Sequence, residues 1–189
     1  EKSDGMIHIG EAVAKGAAAV VAEQPRPEDF SLPWVRVPDA RRALALLAAR
    51  LAGNPCEKLV LAAVTGTNGK TTTTTLLAAA LERGYGRAGF LGTVGYRTGS
   101  RELPAKFTTP DPTVLQPLLA EMVSGGVLAA AIEVSSHALA LERVAGCRFD
   151  LAIFTNLTRD HLDFHGDIES YYAAKKKLFA LRKPGGFTL

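Results

Sequence analysis

Apolar positions along this chain form two patterns that alternate from one segment to the next. Residues 59–64 form an uninterrupted apolar run, which is typical of a strand covered on both faces of a parallel sheet. Similar short runs predict further strands at residues 17–22, 34–37, 87–91, 127–134 and 150–155. Helical runs between them, opened or closed by residues such as Asp39 and Gly16, predict helices at residues 7–15, 41–51, 70–83, 113–124 and 168–181. This alternation predicts an α/β fold with a doubly wound, mostly parallel sheet, which binds its ligands at the carboxyl ends of strands.

One short segment divides the pattern in two. Gly53-Asn54-Pro55 follows a strongly helical run, and this combination of residues ends helices and is typical of linkers. We therefore expect a small α/β unit at residues 1–54 and a larger one at residues 55–189. The sequence lacks an initiator methionine, and residues 185–189 resemble the opening of another strand. These features predict a fragment of a longer protein, with the larger unit incomplete at its C-terminal end.

Composition narrows the class of protein. Of the 189 residues, 47% are hydrophobic and 22% are charged, which favours a folded core over disorder. The 22 basic residues exceed the 19 acidic ones too slightly for a nucleic-acid-binding surface, so no nucleic-acid partner is expected. Cys56 and Cys147 lack metal-ligand spacing and favour packed thiols in a reduced, cytoplasmic protein. No apolar run reaches about 18 residues, so no membrane span is expected.

The most specific motif is TGTNGKTT at residues 65–72, which lies between an apolar run and a helical pattern. Glycines let the backbone N–H groups point at a phosphate, a lysine adds a positive charge, and the next hydroxyl can ligate Mg²⁺. Val64 stands where the strict P-loop pattern has a glycine, so the loop is a tightened variant. The alternative is a Gly-Asn turn before a helix capped by threonines. Threonines at 71–75 are poor helix formers, which favours the phosphate loop.

A single acid, Glu133, stands near the carboxyl end of the predicted strand 127–134. That position suits a Mg²⁺ ligand facing the phosphate loop, and the alternative is an acid that meets solvent at the strand end. Ser135, Ser136 and His137 follow at once and form a polar loop that can hold a substrate. Helix capping by either serine is the alternative for this loop.

The next predicted strand is also followed by polar residues, in the sequence RDHLDFH at residues 159–165. Its two histidines, His161 and His165, have the i, i+4 spacing of a metal hydrolase. The preceding strand end and the following Gly166 favour a loop, so we place only His161 near a metal–phosphate site. The other polar residues of the segment are interpreted as hydrogen-bonding groups that organise the loop.

Three consecutive lysines at 175–177 are separated by helical geometry. At about 100° per residue, Lys175 falls near the centre of an apolar face and Lys177 points away from it, with Lys176 at the margin. The apolar face comprises Ile168, Tyr171, Tyr172, Leu178 and Phe179. A lysine on such a face is unfavourable unless it snorkels, is paired or is modified, and desolvation lowers its pKa. Lys175 is therefore a candidate functional residue.

Three segments resemble the Mur ligase family, and most closely its MurE branch, which adds the third amino acid of the peptidoglycan stem peptide. They are residues 65–72, EVSSH at 133–137 and TNLTRDHLD at 155–163. Asp4-Gly5 and residues 16–21 are similar to the second half of the family's N-terminal, uridine-binding domain. The resemblance implies part of a UDP-substrate domain at residues 1–54 and a P-loop-containing central ATPase domain at 55–189. By the same resemblance, we expect the family's C-terminal, amino-acid-binding domain to lie outside these residues.

The resemblance also implies a role for particular residues. The ATP phosphates would be cradled by Gly66, Thr67, Asn68, Gly69, Lys70, Thr71 and Thr72. The implied catalytic residues are Lys70, Glu133, His161 and Lys175. Lys70 would contact the outer phosphates, and Mg²⁺ would be bound by Thr71, Glu133, His161 and a carbamylated Lys175.

The resemblance implies a second set of residues that hold the UDP-N-acetylmuramoyl-dipeptide, namely Thr108, Thr109, Ser135 and Arg143. Two positions depart from the family's pattern. Phe107 stands where an asparagine often precedes the threonine pair, and Leu141 stands where a glutamine is common two residues before Arg143. The departures affect the expected contacts with the sugar and peptide and leave the expected reaction unchanged.

The implied reaction couples ATP to amide formation. A substrate carboxylate attacks the γ-phosphate, and the amine of a free amino acid then displaces phosphate from the acyl phosphate. The sequence leaves lysine and meso-diaminopimelate open as that amino acid. Another Mur ligase or a folylpolyglutamate synthetase is the nearest alternative, and residues 133–137 favour the MurE branch over both. A P-loop kinase, a nucleotide-binding module and a binding scaffold that is inactive by itself also stay open.

Overall fold

The computed structural model describes residues 5–189, so that Asp4 of the N-terminal motif lies outside the described residues. The first part of the chain forms a small parallel sheet of two strands, β1 (Val20–Ala22) and β2 (Trp34–Arg36). Two helices accompany it, α1 (Ile9–Ala14) and α2 (Ala40–Leu51). The carboxylate of Asp39 caps α2 by accepting a hydrogen bond from the Arg42 N–H. The two strands and two helices predicted for this part of the chain are confirmed. The first helix and the first strand, α1 and β1, are shorter than predicted.

The rest of the chain is organised around a seven-stranded sheet. Five of its strands are parallel, in the order β4 (Ala88–Gly92), β7 (Ala129–Glu133), β3 (Val60–Thr65), β8 (Phe149–Phe154) and β9 (Arg182–Thr188). Two short strands, β5 (Gly95–Arg97) and β6 (Glu102–Leu103), extend the β4 edge in antiparallel fashion. The predicted mostly parallel sheet is therefore confirmed.

Helices cover both faces of this sheet. Alternate residues of the central strands point to opposite faces, and α3 (Lys70–Tyr85) packs its Ala78 against Phe90 and Ala131 on one of them. On the other face, α4 (Pro112–Ser124) and α7 (Ile168–Ala180) join the larger apolar cluster. That cluster includes Leu61, Ala63, Leu115, Leu119, Met122, Ala130, Ile132 and Leu178. The doubly wound arrangement predicted from the sequence is thus confirmed.

Several short elements differ from the prediction. The sequence pattern did not predict β5, β6 or the short helix α5 (Ser136–Ala140), and the segment interpreted as a loop contains one helical turn, α6 (Leu162–His165). These elements have two to five residues, too few for a hydrophobic period to appear.

The two parts of the chain are in close contact. A side chain on Gly146 would overlap the Ala45 carbonyl oxygen and the Ala49 side chain, so α2 packs directly against the segment before β8. Cys56 and Cys147 are both free and buried, as expected of packed thiols. None of the helices within residues 5–189 has the length and apolar character needed to span a membrane.

Candidate active site

The loop between β3 and α3 has a backbone that two glycines make possible. Gly66 has a φ of +145°, and a side chain there would overlap the Thr155 hydroxyl. Gly69 has a φ of +81° and begins α3 without a side-chain cap. The N–H groups in the first turn of a helix have no intrahelical acceptor and, with the helix dipole, favour an anion. The loop therefore has the local geometry of a phosphate site.

The end of the neighbouring strand β8 holds this loop in place. The Thr67 N–H donates to the Asn156 carbonyl oxygen at 2.9 Å, and the Asn68 N–H donates to Asn156 Oδ1 at 3.0 Å. In return the Asn68 carbonyl oxygen accepts hydrogen bonds from Thr155 Oγ1 at 2.7 Å and Asn156 Nδ2 at 3.1 Å. Neither Thr155 nor Asn156 was predicted to have a site role, although their position at the end of a predicted strand was a signal for one.

The Thr67 side chain points away from the open side of the loop. Its hydroxyl is buried and lies 3.0 Å from the Thr158 N–H, which donates to it, and 3.1 Å from the Tyr171 hydroxyl. Thr67 can therefore contribute its backbone to a phosphate cradle, while its hydroxyl ties the loop to α7. Asn68 and Thr72 lie exposed.

Two lysine amines share one backbone oxygen of the loop. Lys70 Nζ donates to the Gly66 carbonyl oxygen at 3.0 Å and to that of Thr67 at 2.9 Å. Lys175 Nζ donates to the same Gly66 oxygen at 2.7 Å and lies 4.4 Å from the centre of the Tyr171 ring. The structure thus brings together two predicted site residues, Lys70 and Lys175, that are 105 positions apart in the sequence.

Lys175 lies inside the protein, as the helical face predicts. It is 1% exposed, while Lys176 and Lys177 are exposed. The assignment of Tyr172 to the buried apolar face is wrong, because this residue is 44% exposed. Burial, with a smaller contribution from the nearby Lys70 charge, lowers the pKa of Lys175 to about 8. Burial also lowers the pKa of Lys70, and the charges of Glu133 and Asp160 oppose that shift.

Glu133 lies at the end of β7 and is fully buried, which excludes the alternative of an acid that meets solvent. Thr71 Oγ1 donates to its Oε2 at 3.0 Å, and the Thr93 N–H donates to its Oε1 at 3.0 Å. A side chain at Gly92 would overlap this carboxylate, so the carboxylate fills the space left by a glycine. No ion pair to Glu133 occurs among residues 5–189. A buried carboxylate next to a threonine hydroxyl offers hard oxygen ligands that fit Mg²⁺.

Thr93 is a site residue that the sequence pattern did not predict. It follows β4, the neighbour of β7 in the sheet, so its position after a strand end was the available signal. Its hydroxyl lies 3.3 Å from Glu133 Oε2 and 3.0 Å from Thr108 Oγ1. Thr108, a predicted substrate residue, is in this way connected to the Glu133 carboxylate.

His161 lies immediately before α6 with a left-handed backbone, φ +51°. Its ring is 4.8 Å from His137 and 6.2 Å from Tyr171, measured between ring centres, and its Nε2 is 3.5 Å from Asp160 Oδ2. His165 Nε2 lies 3.0 Å from Ser136 Oγ, a contact that fits its interpretation as a loop-organising residue. Within residues 5–189 no group of three His, Cys, Asp or Glu residues is placed to hold a metal, so nothing supports a histidine-based hydrolase centre.

The remaining predicted substrate residues surround the loop after β7. The Thr109 hydroxyl is fully buried, donates to the Glu133 carbonyl oxygen at 2.8 Å and accepts from the Ser135 N–H at 3.0 Å. Thr109 therefore anchors the loop in this structure, and its contact with a substrate stays a prediction. Ser135 Oγ accepts from the Ala138 N–H and caps α5, which is the role of the alternative interpretation. Arg143 Nη1 donates to the Thr109 carbonyl oxygen at 3.1 Å.

Known proteins resemble this chain over most of its length. Residues 64–189 match the Mur ligase middle domain. Two curated relatives, from Geobacter sulfurreducens and Geobacillus kaustophilus, are named UDP-N-acetylmuramoyl-L-alanyl-D-glutamate--2,6-diaminopimelate ligase. They are 48% and 50% identical over 177 residues, or 94% of this chain. A solved structure of a ligase with the same name is 35% identical, with a TM-score of 0.76 over 92% of this chain.

The chain is much shorter than these proteins. It spans 35% of the Geobacter sulfurreducens relative, 36% of the Geobacillus kaustophilus relative and 35% of the solved chain. The matched region contains the phosphate loop, Glu133 and Lys175 in one fold with the solved ligase. From the matched middle domain and this common fold it follows that the chain belongs to the Mur ligase family.

Proposed function

We propose that the protein carrying this chain is an ATP-dependent amide ligase of peptidoglycan precursor synthesis. It would add 2,6-diaminopimelate to UDP-N-acetylmuramoyl-L-alanyl-D-glutamate, the substrates in the names of the two relatives. The observation that carries ATP dependence is the glycine-backed loop with Lys70 at the start of α3. In this proposal residues 1–54 are part of a UDP-substrate domain, and residues 55–189 belong to the central ATP-binding domain.

The proposed reaction has two steps. The D-glutamate carboxylate attacks the γ-phosphorus of ATP, which forms an acyl phosphate and releases ADP. The amine of diaminopimelate then attacks the acyl carbon, forms the amide bond and displaces phosphate. Lys70 and the first-turn N–H groups of α3 would offset negative charge on the phosphoryl oxygens, and Arg143 would bind the precursor. Most of the rate enhancement would come from positioning and charge neutralisation.

Mg²⁺ would supply further charge neutralisation when bound. We propose that Thr71 and Glu133 hold it, because they offer a hydroxyl and a buried carboxylate 3.0 Å apart. His161 and a carbamylated Lys175 are the further ligands in this proposal. Carbamate formation needs a neutral amine, and the lowered pKa of Lys175, about 8, makes that form more available than in an ordinary lysine.

The proposal is tested by phosphate release from the full-length protein. ATP and the UDP-muramoyl-dipeptide are supplied with diaminopimelate or with lysine, and with each component omitted in turn. We expect phosphate release only in the complete diaminopimelate mixture, with an amide product detected by mass spectrometry. Turnover with lysine in place of diaminopimelate would show that lysine is the amino acid added. ATP turnover that needs no muramoyl substrate would favour a different nucleotide-dependent function.

Replacement Glu133→Gln is expected to weaken the Mg²⁺ dependence of that activity. The amide keeps the shape of the side chain and removes the anionic ligand, so the Mg²⁺ concentration for half-maximal activity should rise by about 10-fold or more. Glu102→Gln, on the exposed strand β6, is the matched control. An unchanged Mg²⁺ titration in a variant that melts like the wild type would show that Glu133 has only a structural role.

A further inference from the structure

The guanidinium group of Arg143 is held from three sides. Its Nε lies 2.8 Å from Asp111 Oδ1, and its Nη1 donates to the Thr109 carbonyl oxygen at 3.1 Å. The Phe107 ring covers one face, with its centre 5.0 Å from Arg143 Cζ. That distance is within the range of a cation–π interaction. Arg143 is thus a partly buried side chain, 18% exposed, with a fixed plane.

Phe107 is itself fixed by the strand hairpin. Its backbone N–H donates to the Tyr96 hydroxyl at 3.1 Å, and that hydroxyl donates to the Phe107 carbonyl oxygen at 2.5 Å. Tyr96 lies in β5 and is 5% exposed, so the residue that makes these two hydrogen bonds is itself buried. Phe107, in contrast, is 41% exposed. The segment after β6, held by Tyr96, therefore presents a rigid aromatic surface next to the arginine.

Arg143 retains unused hydrogen-bond donors. A guanidinium has five N–H donors in one plane, and the contacts to Asp111 and Thr109 use two of them. Across the described range, residues 5–189, no hydrogen bond is made by its Nη2. A fixed guanidinium edge with free donors can bind a carboxylate in a bidentate manner.

We propose that Asp111 and Phe107 are positioning residues for Arg143 and that the Phe107 ring also selects the ligand. The ligand class is a peptide with a carboxylate for the free edge of Arg143 and a small alkyl group that packs on the exposed ring face. This inference rests on the proposed function, in which the dipeptide of the precursor has an alanine methyl next to an acidic residue.

The test compares variants of the full-length protein in direct binding and in turnover. Phe107→Leu removes the π face, Phe107→Asn replaces the ring by a small polar side chain, and Asp111→Asn removes the anchoring charge. Val114→Ala, which truncates another half-exposed apolar side chain at the start of α4, is the control. We expect the KM for the UDP-dipeptide to rise about 3- to 30-fold in the three variants, with the KM for ATP unchanged.

Two altered precursors separate positioning from general damage. Wild-type protein should bind UDP-muramoyl-Ala-Glu more tightly than the analogue whose glutamate carboxylates are converted to amides, and Asp111→Asn should reduce this difference. It should also prefer alanine to glycine in the dipeptide, a preference that Phe107→Asn should abolish. Calorimetric titration measures both ratios without turnover, and thermal melting confirms that each variant is folded.

The outcomes distinguish this inference from the proposed function. Unchanged ratios in folded Phe107 and Asp111 variants, with normal binding by the wild type, would overturn the positioning role alone. An equal loss of affinity for ATP and precursor would overturn it as well, because that result indicates a general structural effect. Failure of the wild type to bind any UDP-muramoyl-peptide would overturn the proposed function and this inference together.

Discussion

Replacement of Lys70 by alanine is expected to lower ATP turnover of the full-length protein by about 10³-fold or more. The amine of Lys70 is held over the loop by the carbonyl oxygens of Gly66 and Thr67, where it can meet the outer phosphates of a nucleotide. Its loss removes a positive charge from a desolvated position, and a water molecule that fills the space does not replace that charge. Because the side chain is only partly buried, the melting temperature should change by no more than a few degrees, about what 1 kcal/mol produces.

The Lys70 experiment needs a charge control and a binding control. Lys58→Ala removes an exposed lysine just before β3, the strand that leads into the phosphate loop, and should leave turnover unchanged. Equilibrium binding of a non-hydrolysable ATP analogue separates a loss of affinity from a loss of reactivity. Retained turnover in a Lys70→Ala protein that melts normally would contradict the phosphate-loop assignment.

Replacement of Lys175 by alanine is expected to cause a comparable loss of activity, and a short carboxylic acid should restore part of it. In our proposal this side chain becomes a carbamate, so the variant lacks an anionic metal ligand and gains a small cavity that formate or acetate can occupy. Lys176→Ala and Lys177→Ala should have little effect, because both side chains are exposed. Equal losses in all three variants would contradict the distinction between the buried and exposed faces of α7.

The pH dependence of the modification follows from the same burial. With a pKa of about 8 in place of the ordinary lysine value of 10.5, the neutral amine fraction at pH 7 is roughly 10%, some 300-fold above that of an ordinary lysine. At fixed dissolved CO₂, carbamylation should therefore increase as the pH rises through 8 and level off above it. The carbamate signal of protein exposed to ¹³C-labelled CO₂ measures this directly, independently of turnover.

Several of the longer strands and helices were predictable from the sequence. The strand at 59–64 and the helix at 70–83 occur as β3 and α3, shifted by no more than two residues at either end. The burial of Lys175 also followed from helical geometry alone. The exposure of Tyr172 could not be predicted in this way. The width of the buried face of α7 depends on how closely α5 and β3 approach that helix.

Contacts between distant segments were beyond the reach of a sequence pattern. Thr93 binds Glu133 because β4 and β7 are neighbours in the sheet, and this neighbourhood depends on strand order. Tyr171 reaches Thr67 only because α7 packs beside the phosphate loop. The β5–β6 hairpin has five strand residues in total, of which only Tyr96 is buried, so it had no period to detect.

The space behind Glu133 has a consequence for mutational tolerance. Any side chain at Gly92 would occupy the volume of the Glu133 carboxylate and the Phe90 ring, so even alanine should displace the carboxylate. At Gly84, in the exposed part of α3, a Cβ atom would meet nothing within 4 Å, so this position should accept most residues. Saturation mutagenesis of both codons, scored by growth of cells that depend on this protein, should therefore enrich glycine alone at 92. A residue without a side chain would then be as restricted in evolution as the acid it accommodates.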